Sequence, residues 1–283
     1  MDTLLVAAIL PVIGLCSFVY KKDTNSEPMD LLLKLLGYGA LIVIPVIAAE
    51  LFLDGISNTD KDPLLISIFI KTFIGVALAE EGFKWLVVKL KAYNNQEFDE
   101  IYDIIVYSVF VSLGFACVEN ILYVFSGGMG VAILRALLSV PGHACFAVFM
   151  GYYLSRAKVA SISNNNSLYI KNIVLSLLMP MLFHTMYDAL LTWYVNTNKS
   201  SIVLLFLLFD VVMVVVGFIT VNNTSKVQQN LNENLEAGSI VHDNGQIKLV
   251  ETKAITPNIN FCPLCGTNVQ NANYCPKCGF KVR

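Results

Sequence analysis

Long apolar runs alternate with short polar connections along most of this chain. The runs cover residues 3–20, 31–53, 64–90, 101–125, 131–155, 168–195 and 202–221. Most are long enough to cross the hydrocarbon layer of a bilayer, which takes roughly 20 residues. Between them lie turn-forming clusters: Asp23-Thr24-Asn25-Ser26, Asp54-Gly55, Asn94-Asn95 and Ser163-Asn164-Asn165-Asn166. The runs are continuous rather than alternating, which argues against a β-barrel. A spanning segment must satisfy its backbone polar groups internally, so these segments are helices. The pattern predicts an all-α polytopic membrane bundle of about seven spans over residues 1–221. No repeat period of a soluble array is visible.

The pattern changes after residue 221. From Asn222 to Asn260 the chain is rich in Asn, Gln, Ser, Thr and charge. Few apolar side chains are available there to offset ordering entropy, so the stretch reads as a polar linker with a short helix near 226–236. Residues 261–283 complete the chain with Cys262-Pro263-Leu264-Cys265-Gly266 and Cys275-Pro276-Lys277-Cys278-Gly279. Two such knuckles bring four thiolates to one tetrahedral ion, and their glycines permit the tight turns around it. Cys262, Cys265, Cys275 and Cys278 are therefore expected to hold a structural zinc in a small C-terminal ribbon. Cys16, Cys117 and Cys145 stand singly in apolar runs and read as packing residues.

Composition agrees with a membrane protein: 56% of residues are hydrophobic and only 14% charged, against about one quarter charged in a soluble domain. The formal net charge of −2 gives no reason to expect nucleic acid as a partner. The first run starts directly after Met1-Asp2, without a basic leader, and is expected to remain as the first span. Lys21, Lys22, Lys34, Lys89, Lys91, Arg156, Lys158 and Lys171 fall on one side of the bundle, and Lys61, Arg135 and Lys199 on the other. The richer side is expected to face the cytoplasm. This places the tail and its zinc ribbon inside the cell, where thiolates stay reduced and available to metal.

Polar residues inside the spans carry the chemistry. Glu80 and Glu81 sit side by side in the third run. A carboxylate at bilayer depth costs about 3 kcal/mol on insertion scales, so a pair needs a reason. Lys84 lies one turn beyond Glu80 on the same helix face and can neutralise it. Glu81 points about 100° away, so the two carboxylates are not expected to share one partner easily. The fourth run carries Glu119-Asn120, with Asp103 near its start in the region of a cap charge. The fifth has Pro141-Gly142-His143, and the sixth His184-Thr185-Met186-Tyr187-Asp188. Asp188 lies one turn from His184, placed to fix the imidazole tautomer. Pro141 and Pro180 free backbone groups near the two histidines. Asp210 in the last run has no evident partner, and Lys71 is either snorkelling or bundle-facing.

Glutamates and histidines converging in a bundle suit two hydrolytic schemes. In one, a carboxylate is general base on water while histidines or an amide stabilise the oxyanion. In the other, Glu and His ligate a divalent metal that acidifies a bound water. A proton-coupled transporter also uses intramembrane Glu and His, but it would spread them over both halves of the chain. A non-catalytic membrane sensor with a zinc-ribbon adaptor is a further alternative.

Glu80-Glu81-x-x-Lys84, Phe115-x-x-x-Glu119-Asn120, His143 and His184-x-x-x-Asp188 occur in this order on four successive runs. The arrangement resembles the PrsW family of intramembrane proteases, within the wider group that includes the type II CAAX prenyl endopeptidases. That wider group has a histidine in its second motif. Glu119 stands there in this chain, as in PrsW. The stretch Asp103-Ile104-Ile105-Val106-Tyr107 departs from the family's Asp-Gly-Ile-Val-Tyr. The resemblance implies an intramembrane endopeptidase of the cell membrane that cleaves a membrane-anchored protein, typically an anti-sigma factor. It implies a site made of Glu80, Glu81, Lys84, Glu119, His143, His184 and Asp188. It leaves open whether Glu80 or Glu81 acts as base alone or a divalent metal takes part.

Overall fold

The computed structural model describes residues 2–56, 64–236, 241–243 and 246–248. The four ribbon cysteines lie outside these residues. Nine α-helices occur in order among the described residues: α1 (Asp2–Lys21), α2 (Met29–Leu41), α3 (Val43–Ile56), α4 (Leu65–Thr72), α5 (Leu78–Lys91), α6 (Asp103–Leu137), α7 (Ser139–Ile162), α8 (Asn166–Thr197) and α9 (Ser200–Glu236). One π-helical turn, Phe73–Ala77, joins α4 to α5. A two-stranded antiparallel hairpin, β1 (Val241–Asp243) with β2 (Gln246–Lys248), comes after the last helix.

Helix α6 is the axis of the bundle. Every residue from Tyr102 to Ala116 is buried. A helix apolar around its whole circumference is stable only when surrounded by others. α7 packs along α6, α1 and α2 cover another side, and α8 and α9 close over α7. The central contacts rely on small residues. A Cβ on Gly39 would sit 1.9 Å from the Val111 carbonyl oxygen, and one on Gly114 would sit 2.0 Å from that of Leu36. The two glycines therefore let the backbones of α2 and α6 touch, as small residues do where membrane helices cross closely.

Five stretches are long and apolar enough to cross a membrane: Thr3–Lys21, Met29–Leu53, Asp103–Ile162, Asn166–Thr197 and Ser200–Glu233. The third contains 60 residues, about 90 Å if straight, three times the hydrocarbon thickness. It doubles back at Gly128, whose φ of 75° and ψ of −165° break the helix. The reversal brings Arg135 beside Glu119, 16 positions earlier. The rod α4–α5 adds a segment that carries Lys71, Glu80, Glu81, Lys84, Lys89 and Lys91. The seven expected spans thus correspond to five apolar stretches, one folded in two, plus a charged rod. Large apolar side chains such as Leu204, Leu208, Val211 and Val215 line the outside of α9, a surface suited to lipid.

Two local expectations change. α9 does not stop at Val221 but runs unbroken to Glu236, so the first part of the polar stretch is helix. Pro141 lies in the first turn of α7, where its missing N–H costs nothing. It starts a helix rather than interrupting one.

Candidate active site

Glu80 and Glu81 open α5 directly after the π turn. Such a turn inserts an extra residue into the helical repeat and re-aims the side chains beyond it. Ala79, Glu80, Glu81, Lys84 and Val88 are all turned inward. Lys84 is 1% exposed and Glu81 not at all. The lysine ammonium donates to Glu80 Oε2 at 2.9 Å and to Glu81 Oε1 at 2.8 Å. The two carboxylates therefore do share a partner, contrary to the helical-wheel expectation. The long lysine side chain reaches back between the i−4 and i−3 positions, which flank one groove of the helix. Its charge also lies over the Phe115 ring, 4.2 Å from the centroid.

The same ammonium lies 3.2 Å from His143 Nδ1. An ammonium only donates, so Nδ1 accepts and the ring proton sits on Nε2. That nitrogen is 2.9 Å from Glu119 Oε2. Glu119 in turn accepts from Arg135 Nη2 at 2.7 Å. Arg135 Nε donates to Asn120 Oδ1 at 2.9 Å, and Asn120 donates to the Ala8 carbonyl at 2.7 Å. Asn120 is thus a brace for Arg135 and α1 rather than the hydrogen-bond partner of Glu119.

His184 stands on the other side of the glutamates. Its Nδ1 is 3.0 Å from Glu81 Oε1 and its Nε2 is 3.2 Å from Asp188 Oδ2. The ring stacks on Phe146 at 4.8 Å and meets His143 edge-on at 5.5 Å. Trp85 Nε1 donates to Ser176 Oγ at 2.8 Å, tying α5 to α8 next to the site. Residues from α5, α6, α7 and α8 therefore form one continuous polar chain, Asp188–His184–Glu81–Lys84–His143–Glu119–Arg135, with Glu80 on Lys84. All seven residues singled out from the sequence are brought together.

Two members were not singled out. Arg135 enters the sequence reading only as a charge that sets orientation, and its inward course depends on the Gly128 reversal. Glu50, on α3, lies within electrostatic range of Glu80, Glu119, Lys84 and His184. It was legible as a carboxylate in an apolar run, but nothing in the sequence linked it to the others. Asp210 lies apart, buried near Cys145 and Tyr187 with one oxygen unpaired.

The comparison with known families joins this geometry to a group of enzymes. The family described as PrsW family intramembrane metalloprotease matches residues 27–232. The chain belongs to the PrsW family. Relatives named Protease PrsW include one from Oceanobacillus iheyensis, 40% identical over 191 residues, covering 68% of this chain and 84% of the relative. Another, from Geobacillus kaustophilus, is 40% identical over 192 residues, covering 68% and 80%. A third, from Bacillus subtilis, is 36% identical over 193 residues, covering 68% and 84%. No solved structure matches the chain. PrsW membership makes this a membrane peptidase, and the multi-pass helical bundle is the architecture such an enzyme requires.

A metalloprotease family implies a metal, and the side chains present suit one. Ligand atoms of Glu80, Glu81 and His184 all lie within 4.8 Å of one another. Carboxylate oxygen and imidazole nitrogen are both ligand types that zinc takes. Glu81 Oε2 is buried with no hydrogen-bond partner, an orphan that a cation would satisfy. Glu80, Glu81, Glu119 and Asp188 also outnumber Lys84 and Arg135, so the group has room for further positive charge.

Proposed function

We propose that the chain is an intramembrane endopeptidase that hydrolyses a peptide bond in a membrane-anchored protein, with the group around Glu80 and Glu81 as its catalytic centre. A regulator such as an anti-sigma factor is the substrate class that the family resemblance suggests. The observation that carries the reading is the position of Lys84, which holds two buried carboxylates and a histidine on three sides. Such a cluster is costly in a membrane protein and is kept where chemistry needs it.

In this reading Glu80 is the general base. It takes a proton from water as the water oxygen bonds to the scissile carbonyl carbon, and the carbonyl π pair moves onto oxygen. When the C–N bond breaks, the same carboxyl returns the proton to the leaving amine. Lys84 donates to both Glu80 and Glu81 and sets one positive charge between them. Asp188 holds the Nε2–H of His184, leaving Nδ1 turned toward the glutamates. A divalent metal would be held by Glu81 and His184 with Glu80 beside it. When bound it would polarise the carbonyl and acidify the water. His143, held between Lys84 and Glu119, fixes the direction of the Lys84 ammonium beside the two glutamates. A metal-free glutamate scheme is the second reading, and one observation favours it: the Lys84 ammonium already donates to both carboxylates.

We assign the end of the bundle that carries Lys22, Lys89 and Lys158 to the cytoplasm, with the tail and its zinc ribbon on that side as an accessory module. The test is cleavage of a single-pass substrate in proteoliposomes by a Cys262→Ser, Cys265→Ser variant, so that ribbon zinc is out of play. Loss of cleavage on chelation, restored by added zinc, supports the metal scheme. Full cleavage after chelation supports the glutamate scheme. No cleavage of any single-pass protein under either condition, by a chain that remains folded, contradicts the peptidase reading.

A further inference from the structure

A second group of acidic residues lies at the end of α6 remote from the candidate active site. Asp103 begins α6, and Glu119 is sixteen residues along it, about 24 Å away at the helical rise. Ligand oxygens of Asp23, Glu100 and Asp103 lie within 4.8 Å of one another, and so do those of Glu27, Asp99 and Asp103. Asp103 belongs to both triads. It is wholly buried, and its Oδ2 accepts the backbone N–H groups of Asp99 and Glu100 at 3.1 and 2.6 Å. This bends the 97–103 loop around the carboxylate.

Clustering alone is common among acidic residues, but here the oxygens are also orphaned. Asp103 Oδ1, Glu100 Oε2 and both carboxylate oxygens of Asp23 are buried without a well-formed hydrogen bond. A buried carboxylate oxygen without a good hydrogen bond is costly; only poorly aligned approaches reach these four, from the Thr24 and Glu27 backbone to Asp23, from Glu27 to Asp103 and from Gln228 to Glu100. Among the described residues no Lys or Arg forms an ion pair with any of the five acids. The neighbouring polar groups are satisfied. Tyr107 donates its hydroxyl to Glu27, with the Glu97 carbonyl 3.1 Å from the same oxygen, and Asn232 donates to the other Glu100 oxygen at 2.8 Å.

We propose that Asp23, Glu100 and Asp103, with Glu27 and Asp99 beside them, bind a hard divalent cation, Ca²⁺ or Mg²⁺. Two oxygens each about 2.4 Å from one ion lie at most about 4.8 Å apart, and the oxygens of each triad lie within that distance of one another. The donors are all oxygens. Without imidazole or thiolate, the set suits Ca²⁺ or Mg²⁺ rather than zinc. Such an ion would join three parts of the chain: the α1–α2 connection through Asp23, the 97–103 loop through Glu100, and the core helix through Asp103. The extended end of α9 is fastened to the same place. Gln228 accepts from the Ile101 N–H at 2.9 Å, and Ser225 donates to the Lys22 carbonyl at 2.6 Å. The ion would therefore lock the helix that leads into the polar tail onto the bundle.

Equilibrium dialysis of ⁴⁵Ca²⁺ against the full-length chain in detergent, after removal of metals by chelator, tests the site. Competition by Mg²⁺ is measured in parallel. The expected result is one saturable site per chain, kept in a His184→Ala variant and lost in Asp23→Asn with Glu100→Gln. Glu100→Gln alone, at a partly exposed position, should weaken binding at least about tenfold. That variant serves if the double one does not fold. Saturable binding that is absent at millimolar cation, that survives unchanged in Glu100→Gln, or that disappears with His184→Ala would overturn the proposal.

Discussion

Lys84 Nζ lies 3.2 Å from His143 Nδ1, although 59 residues separate the two. The contact joins the two halves of the candidate active site: the glutamates and His184 on one side, Glu119 and Arg135 on the other.

Removing the ammonium should therefore be severe. Lys84→Met leaves two buried charges without their partner, a change that costs about 3–5 kcal/mol in comparable buried pairs. Thermal unfolding in detergent should show a large loss of stability, and cleavage should fall at least about 100-fold. A Lys84→Met protein with unaltered melting temperature would mean that the glutamates are neutral without the lysine.

Asp188 and His184 should differ in weight. Asp188 touches only the outer nitrogen of the ring, whereas His184 faces the glutamates directly. His184→Ala should lower cleavage more than Asp188→Asn, because asparagine still accepts a hydrogen bond from Nε2. Rates for the two variants on one substrate decide this. Equal loss would place Asp188 in the reaction itself.

The glycine crossing makes a prediction whose sign is informative. An exposed helical Gly→Ala change gains up to about 1 kcal/mol from propensity. Gly114→Ala should instead destabilise, by about 1–3 kcal/mol for overpacking, since the new Cβ meets the Leu36 backbone at 2.0 Å. Gly37→Ala, with nothing within 4 Å, should be neutral or stabilising. Melting temperatures of the pair provide the check.

Stability should also depend on pH through the acidic group outside the membrane. Burial, then the charges of Glu100 and Glu27, push the Asp23 carboxyl up to about 7. Burial pushes Glu27 up to about 7 as well, against the opposing hydrogen bond from Tyr107. Both folded values exceed the unfolded ones near 4. The folded chain thus holds protons that the unfolded chain releases, and this stabilisation is full below about 4 and lost as pH rises through about 7. In the presence of chelator, the melting temperature should fall from about pH 5 to about pH 8. Asp23→Asn should flatten the fall, and a rise over that window would contradict it.

Much of this was legible in the sequence because apolar run length and isolated charges are local signals. The helices, the order of the motifs and the Glu80–Lys84 pairing come from spacing along one chain segment. Arg135 was not legible. It enters the site only because Gly128 turns α6 back on itself, and a Gly-Gly pair in an apolar run does not say how sharply the backbone reverses. The sharing of Lys84 by both glutamates was missed for a related reason. A helical wheel places Cα positions, whereas the lysine side chain is long enough to reach between them. The orphaned oxygens of Asp23, Glu100 and Asp103 were also invisible, since Asp103 reads as a helix-start charge until the loop before it is seen wrapping around the carboxylate.

The central claim is that the Glu80–Glu81 group performs peptide hydrolysis within the membrane. The most direct measurement compares full-length wild type with a Glu80→Gln, Glu81→Gln double variant in proteoliposomes, using a single-pass substrate cleaved by the wild type. Melting temperature and helicity are recorded to show that the variant is folded. The account predicts cleavage by the wild type and a loss of at least about 100-fold in the variant. Cleavage by the folded double variant at the wild-type rate would contradict it.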